Sequence, residues 1–281
     1  MVGIVESSYY RKPSGGKKGK KPSKETFHLA KGFVSQDAVI ASVKDILSDE
    51  FIDCGYRLMT SYLKRDGYII NHKKLYRIMT EKGLLKIDNR IDRSGSGRKF
   101  VKYRKVHTTR PLECLEMDIK MVWIPSVGKN AYLLSVIDVH TRRILKDYFS
   151  FTIKQNDVIA LLSGLFEDYN YPDSVVIRSD NGSQFIAKNV REYLGIIGVQ
   201  QEFTHVATPE ENAHIEAYHG ILKKEVLNRF DYQYFGEIQQ ILKRYVKFYN
   251  NRRLHGLLGR ITPMEKWNAD KNLIIMKKLT A

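Results

Sequence analysis

At Leu112 the spacing of apolar residues switches from helical to alternating, and three strand-like runs follow with no helical pattern between them. Leu115–Ile124 alternates and holds Asp118 inside the run. Gly128-Lys129-Asn130 turns the chain into Ala131–Val139, and His140–Arg143 turns it again into Ile144–Phe151, so the three runs lie in hairpin order. A helical stretch from Asn156 then places Val158, Ile159, Leu161, Leu162, Leu165 and Phe166 on one face. Val175–Ser179, β-branched and apolar, is long enough for a buried strand and empties into the polar turn Asp180-Asn181-Gly182-Ser183-Gln184-Phe185. A helix over Phe185–Ile197, a short strand over Val199–Phe203 and a helix carrying Glu216 complete the series.

The order βββαβαβα is that of the ribonuclease-H-like fold, an α/β architecture in which a mixed five-stranded sheet is flanked by helices. Upstream, residues 36–90 are expected to form a small all-helical domain. Its second and third helices meet at Gly67, Asn71 caps the third, and Gly83 closes it. Lys73, Lys74 and Arg77 point outward from that third helix, as in a helix-turn-helix that reads DNA. Residues 1–35 are expected to be a basic flexible segment, and 91–110 a basic linker whose Arg98 and Lys99 lie along phosphates. The catalytic core is placed at 111–229, and 230–281 hold an amphipathic helix and a basic tail with Arg252 and Arg253.

Charge narrows the partner. With 47 basic residues against 31 acidic ones the formal net charge is +16, which calls for a polyanion, and double-stranded DNA is the expected one. Two cysteines in separate segments build neither a disulfide framework nor a zinc site. No apolar run reaches the length of a membrane span, so no membrane partner is expected and the chain is assigned to the cytoplasm, at the nucleoid of a bacterium.

Asp118 inside a strand, Asp180 at a strand end and Glu216 on a helix are the candidate catalytic and metal-binding residues. A carboxylate at a strand's C-terminal end is where open α/β sheets place ligands. Three hard oxygen donors without nitrogen or sulfur suit Mg²⁺, with Mn²⁺ able to substitute. Two such ions would serve an in-line displacement at phosphorus. Lys223 follows Glu216 by seven residues and shares its helix face.

The segments MDIK, VIDVHTRR, RSDNGSQF, ATPEENAHIEAYHGILKKE and YNNRRLHGLLGRITPMEKW occur in the order seen in DDE transposases and retroviral integrases. Thirty-five residues lie between Asp180 and Glu216, the spacing of that superfamily. More narrowly, the chain resembles the second-frame product of the insertion sequence three family of bacterial transposases, over nearly its whole length. The resemblance implies Asp118, Asp180 and Glu216 as the metal-binding triad and Lys223 as a contact to DNA phosphate. It implies that Asn181, Gly182 and Gln184 shape the turn after Asp180, and that Asn212 braces the start of the Glu216 helix. Asp138 recurs in such proteins but precedes a hairpin turn and is set aside.

The expected activity is therefore metal-dependent strand cleavage at insertion-sequence ends followed by 3′-hydroxyl transfer, that is, DNA integration by a transposase. Its expected partners are the element's terminal repeats and the target DNA, with a homo-oligomer on the DNA. No heptad run appears, so an upstream helix-turn-helix and leucine-zipper partner, or a fusion to one, is a further expected partner. The alternatives are a structure-selective nuclease of the same fold and an inactive DNA-binding relative.

Overall fold

The computed structural model describes residues 23–85, 106–169, 174–205 and 209–274. The core begins with three antiparallel strands, β4 (Cys114–Ile124), β5 (Lys129–Asp138) and β6 (Ile144–Ser150). Helix α4 (Gln155–Asp168) crosses to β7 (Val176–Ser179), which pairs parallel with β4; β8 (Gln200–Phe203) pairs parallel with β7. The sheet order is β6-β5-β4-β7-β8, the mixed five-stranded arrangement expected. Between β7 and β8 the single predicted helix is broken at Ala187, whose ψ of 140° is extended. It becomes a short turn, α5 (Ser183–Ile186), and α6 (Lys188–Ile197), the latter closed by Gly198 at φ 71°.

Alternation along β4 sends Glu116, Asp118, Lys120 and Val122 to one side and Leu115, Met117 and Ile119 to the other. On the second side Leu115 and Met117 join Val158, Leu162 and Leu165 of α4 and Val190 and Leu194 of α6. The first side is covered by α7 (Ala213–Leu222), a π turn (Lys223–Leu227) and α8 (Phe235–Asn251). Ile215, Tyr218 and Leu222 of α7 pack with Val122 and Leu133, and Ile238, Leu242 and Tyr245 of α8 complete that layer. Helix α9 (Pro263–Asp270) is longer than the single turn expected, with Thr262 in a capping box and Trp267 buried in the α4–α6 layer. The segment after 229 is thus woven into the core rather than appended to it.

The upstream unit differs from an all-helical domain. Helices α1 (Gln36–Leu47), α2 (Tyr56–Arg65) and α3 (His72–Glu81) are present, and Asn71 caps α3 through Lys73 N–H at 2.9 Å. A three-stranded sheet accompanies them: β1 (Glu25–His28), β2 (Gly32–Ser35) and β3 (Tyr68–Ile69), in the order β2-β1-β3. Residues 25–35 therefore form a hairpin where a flexible segment was expected. Residues 1–22 and most of the expected linker, including Arg98 and Lys99, lie outside the described residues.

Candidate active site

Asp118 and Asp180 lie on or just beyond two strands, β4 and β7, that pair in parallel. The register runs Cys114 to Val176, Leu115 to Ile177 and Glu116 to Arg178. Asp118 and Asp180 each follow the last pair of that register, Glu116 with Arg178, by two residues. The turn after β7 is fixed by short bonds. Gly182 N–H donates to Asp180 Oδ1 at 2.9 Å, and Asn181 Nδ2 donates to Thr204 O at 3.0 Å, just beyond β8. A Cβ on Gly182 would fall 2.4 Å from Gln184 Nε2 and 3.0 Å from Asp180 Oδ1, so a side chain there would displace both.

Helix α7, which carries Glu216, is pinned by a residue that sequence reading passed over. Glu116 is wholly buried, and its Oε2 accepts from the backbone N–H groups of His214 and Ile215, both at 2.9 Å. Its Oε1 lies 2.6 Å from His214 Nδ1. A carboxylate against the first turn of a helix satisfies orphan donors and faces the positive end of the dipole. Asn212, expected to brace this start, makes no side-chain cap; its Nδ2 instead reaches Met117 O at 3.4 Å. The overlooked signal was a second acid two residues before Asp118, on the same strand face.

Next to it, Arg178 is buried and donates to Glu202 at 2.7 Å and to Glu211 O at 2.9 Å. Glu211 in turn accepts from His205 N–H at 2.9 Å. Glu116, Arg178 and His214 each precede one of the three candidate acids by two residues, so a buried polar frame underlies the trio.

Asp118 itself is half-buried; its Oδ1 accepts Ile119 N–H at 2.7 Å and its Oδ2 lies 3.2 Å from His219 Nδ1. Asp180 and Glu216 are exposed. The donor chemistry fits a hard divalent cation, since all three acids supply only oxygen. As placed, no three His, Cys, Asp or Glu among the described residues are gathered closely enough to hold one ion. Asp138 is fully buried and accepts from Leu112 N–H, Thr141 N–H and the Thr141 hydroxyl; burial raises its pKa, and its acceptors are occupied by the hairpin turn.

The candidate DNA contacts divide. Lys223 and Lys73 are exposed, and their side chains make no bond among the described residues. Lys74 instead donates to Glu25 O, and Arg77 reaches Ser23 O at 3.4 Å and Glu81 at 3.6 Å, so both lean on β1 and their own helix. Arg252 pairs with Asp49 at 2.6 Å. Arg253 is turned inward against Glu225 at 2.8 Å and presents no free charge to a ligand.

Two integrase core domain models match residues 108–209 and 197–263, together more than half of the chain, and an HTH-like domain model matches 35–90. The chain belongs to the integrase-core family. The chain is 27% identical over 261 residues to the putative transposase for insertion sequence element IS150 of Escherichia coli K12, covering 87% of this chain and 89% of that one. It is 23% identical over 249 residues to the transposase for insertion sequence element IS904 of Lactococcus lactis, covering 84% and 96%. In fold it is similar to a chain of the simian T-cell lymphotropic virus intasome, at a TM-score of 0.51 and 10% identity over 81% of this chain and 76% of that one. Among the described residues no helix is long and apolar enough to cross a membrane.

Proposed function

We propose that this chain is a DNA transposase that cleaves a strand at the end of an insertion sequence and joins the freed 3′-hydroxyl to target DNA. The observation that carries the reading is the parallel pairing of β4 with β7 in a chain of the integrase-core family, Asp118 following the paired Glu116 by two residues and Asp180 following the paired Arg178 by two. The net charge of +16 and the HTH-like domain support a duplex DNA partner, and the intasome likeness in fold is consistent with assembly of several copies on it.

Asp118, Asp180 and Glu216 would hold Mg²⁺ or Mn²⁺, two ions at full occupancy, which when bound lower the barrier to in-line attack at phosphorus. The chain's own residues supply placement. Glu116 fixes the helix of Glu216 on β4, the Asp180–Gly182 bond fixes the turn, and Lys223 binds a phosphate on the same helix face as Glu216. Water attacks the phosphorus, the bond to the 3′ oxygen breaks, and a 3′-hydroxyl is released. That hydroxyl then attacks a target phosphodiester, and one phosphorus–oxygen bond forms as another breaks.

The test is a labelled duplex carrying the terminal repeat, incubated with wild type or Glu216→Gln in Mg²⁺, Mn²⁺ or EDTA. Joined product that disappears in the variant and in EDTA is expected. Cleavage without joining would instead mark a structure-selective nuclease.

A further inference from the structure

Contacts between β4 and α7 form a ladder. Glu116 meets the N–H groups of His214 and Ile215, Asp118 meets His219, and Val122 shares the core with Leu222. Strand and helix therefore run side by side in the same direction. From Glu116 to Asp118 the strand advances about 6.7 Å, and from Ile215 to His219 the helix advances about 6 Å. One more strand pair leads to Lys120, and four more helical residues lead to Lys223, again about 6 Å along the helix.

Lys120 points to the same face as Asp118, because they are two residues apart on one strand. It is half-buried over Leu133, its cross-strand partner. The side chains of Lys120 and Lys223 make no hydrogen bond or ion pair among the described residues. Two ammonium groups on one rung repel one another unless an anion bridges them. Arg253 and Arg178 are already committed, to Glu225 and Glu202.

We infer that Lys120 and Lys223 form a two-lysine clamp for a backbone phosphate of the DNA strand being cut, one rung beyond the carboxylate trio. The inference rests on the transposase reading and adds Lys120 as a phosphate-binding residue. The clamp holds the strand beside the acids, and its ligand class is a nucleic-acid phosphodiester, recognised without regard to base.

The experiment uses the full chain and the terminal-repeat duplex. Affinity is measured by fluorescence anisotropy across a salt series in EDTA, where no chemistry occurs, for wild type, Lys120→Gln and Lys120→Arg. The slope of log affinity against log salt is expected to become shallower by about 0.9 in Lys120→Gln, the loss of one phosphate contact. Lys120→Arg should restore it. In Mg²⁺, single-turnover cleavage should slow at least tenfold in the glutamine variant. As an independent probe, Lys120→Cys should form a disulfide with a duplex bearing a thiol-tethered phosphate next to the cleaved bond, and not with one tethered a helical turn away. A folded Lys120→Gln with wild-type salt slope and cleavage, or crosslinking that ignores tether position, overturns the clamp. Wild type that binds the duplex but never cleaves it in metal would sink the transposase reading instead.

Discussion

Glu116 has no exposed surface, yet three donors satisfy its carboxylate. Glu116→Ala would leave the N–H groups of His214 and Ile215 buried without an acceptor, at a cost of about 3 kcal/mol. Urea denaturation should show that loss, and hydrogen exchange should show the first-turn amides of α7 losing protection. Glu116→Gln, which keeps an acceptor oxygen, should recover part of both. His255 makes a different case: its ring is buried edge-on against Tyr249 at 4.8 Å. Burial, then the charges of Arg253 and Arg142, push its pKa down from 6.5 to about 3. The unfolded chain takes up that proton at the ordinary value and the folded chain only at the lower one. Stability is thus complete above pH 6.5 and falls as the pH drops through that window to about 3. Denaturation midpoints measured from neutral to acid pH should show this limb, and His255→Gln should flatten it by up to about 1.4 kcal/mol per pH unit.

Among the elements, α7 is held at both ends. Glu116 anchors its start, and the π turn at its end buries Glu225 against Arg253 at 2.8 Å and the Tyr245 hydroxyl at 2.9 Å. Removing one member of a buried pair leaves the other charged and unpaired, so Arg253→Ala should cost about 3–5 kcal/mol by chemical denaturation. Combining Glu225→Gln with Arg253→Met should cost less than the sum of the single changes. The strands of the core, the cap at Asn71 and the common face of Glu216 and Lys223 were legible because each leaves a local mark: period two, a cap residue, a spacing of seven. Arg253 left none, since its partner is twenty-eight residues upstream, and in a run of basic residues it read as part of a solvated tail. The hairpin at 25–35 was hidden for another reason. Its alternation is inverted, with Thr26 and His28 buried while Phe27 and Phe33 face outward, so the period pointed to no core. The break at Ala187 was equally silent, because alanine in that stretch reads as helix former.

At the scale of the molecule, the upstream unit is not loosely tethered. Phe51 and Ile52, between α1 and α2, belong to the core cluster on the α7–α8 side of the sheet. Phe51 touches the rings of Phe230, Tyr245 and Phe248 at 5.3–5.5 Å. Around it Arg244 pairs with Glu50 at 2.6 Å, Arg65 pairs with Glu265, and the Tyr62 hydroxyl donates to Arg252 O at 3.2 Å. The exposed pairs contribute little each, so the aromatic plug decides. Phe51→Ala is expected to cost about 3–5 kcal/mol and to split one calorimetric transition into two. The plug has a metrical consequence. With Phe51 seated, the outward face of α3 and the three acids keep a constant offset, and on the proposed transposase reading the chain becomes a gauge laid against the duplex. On that reading, any slack between the sequence gripped and the bond cut comes from the DNA, by bending or by its own helical phase, rather than from a hinge in the protein.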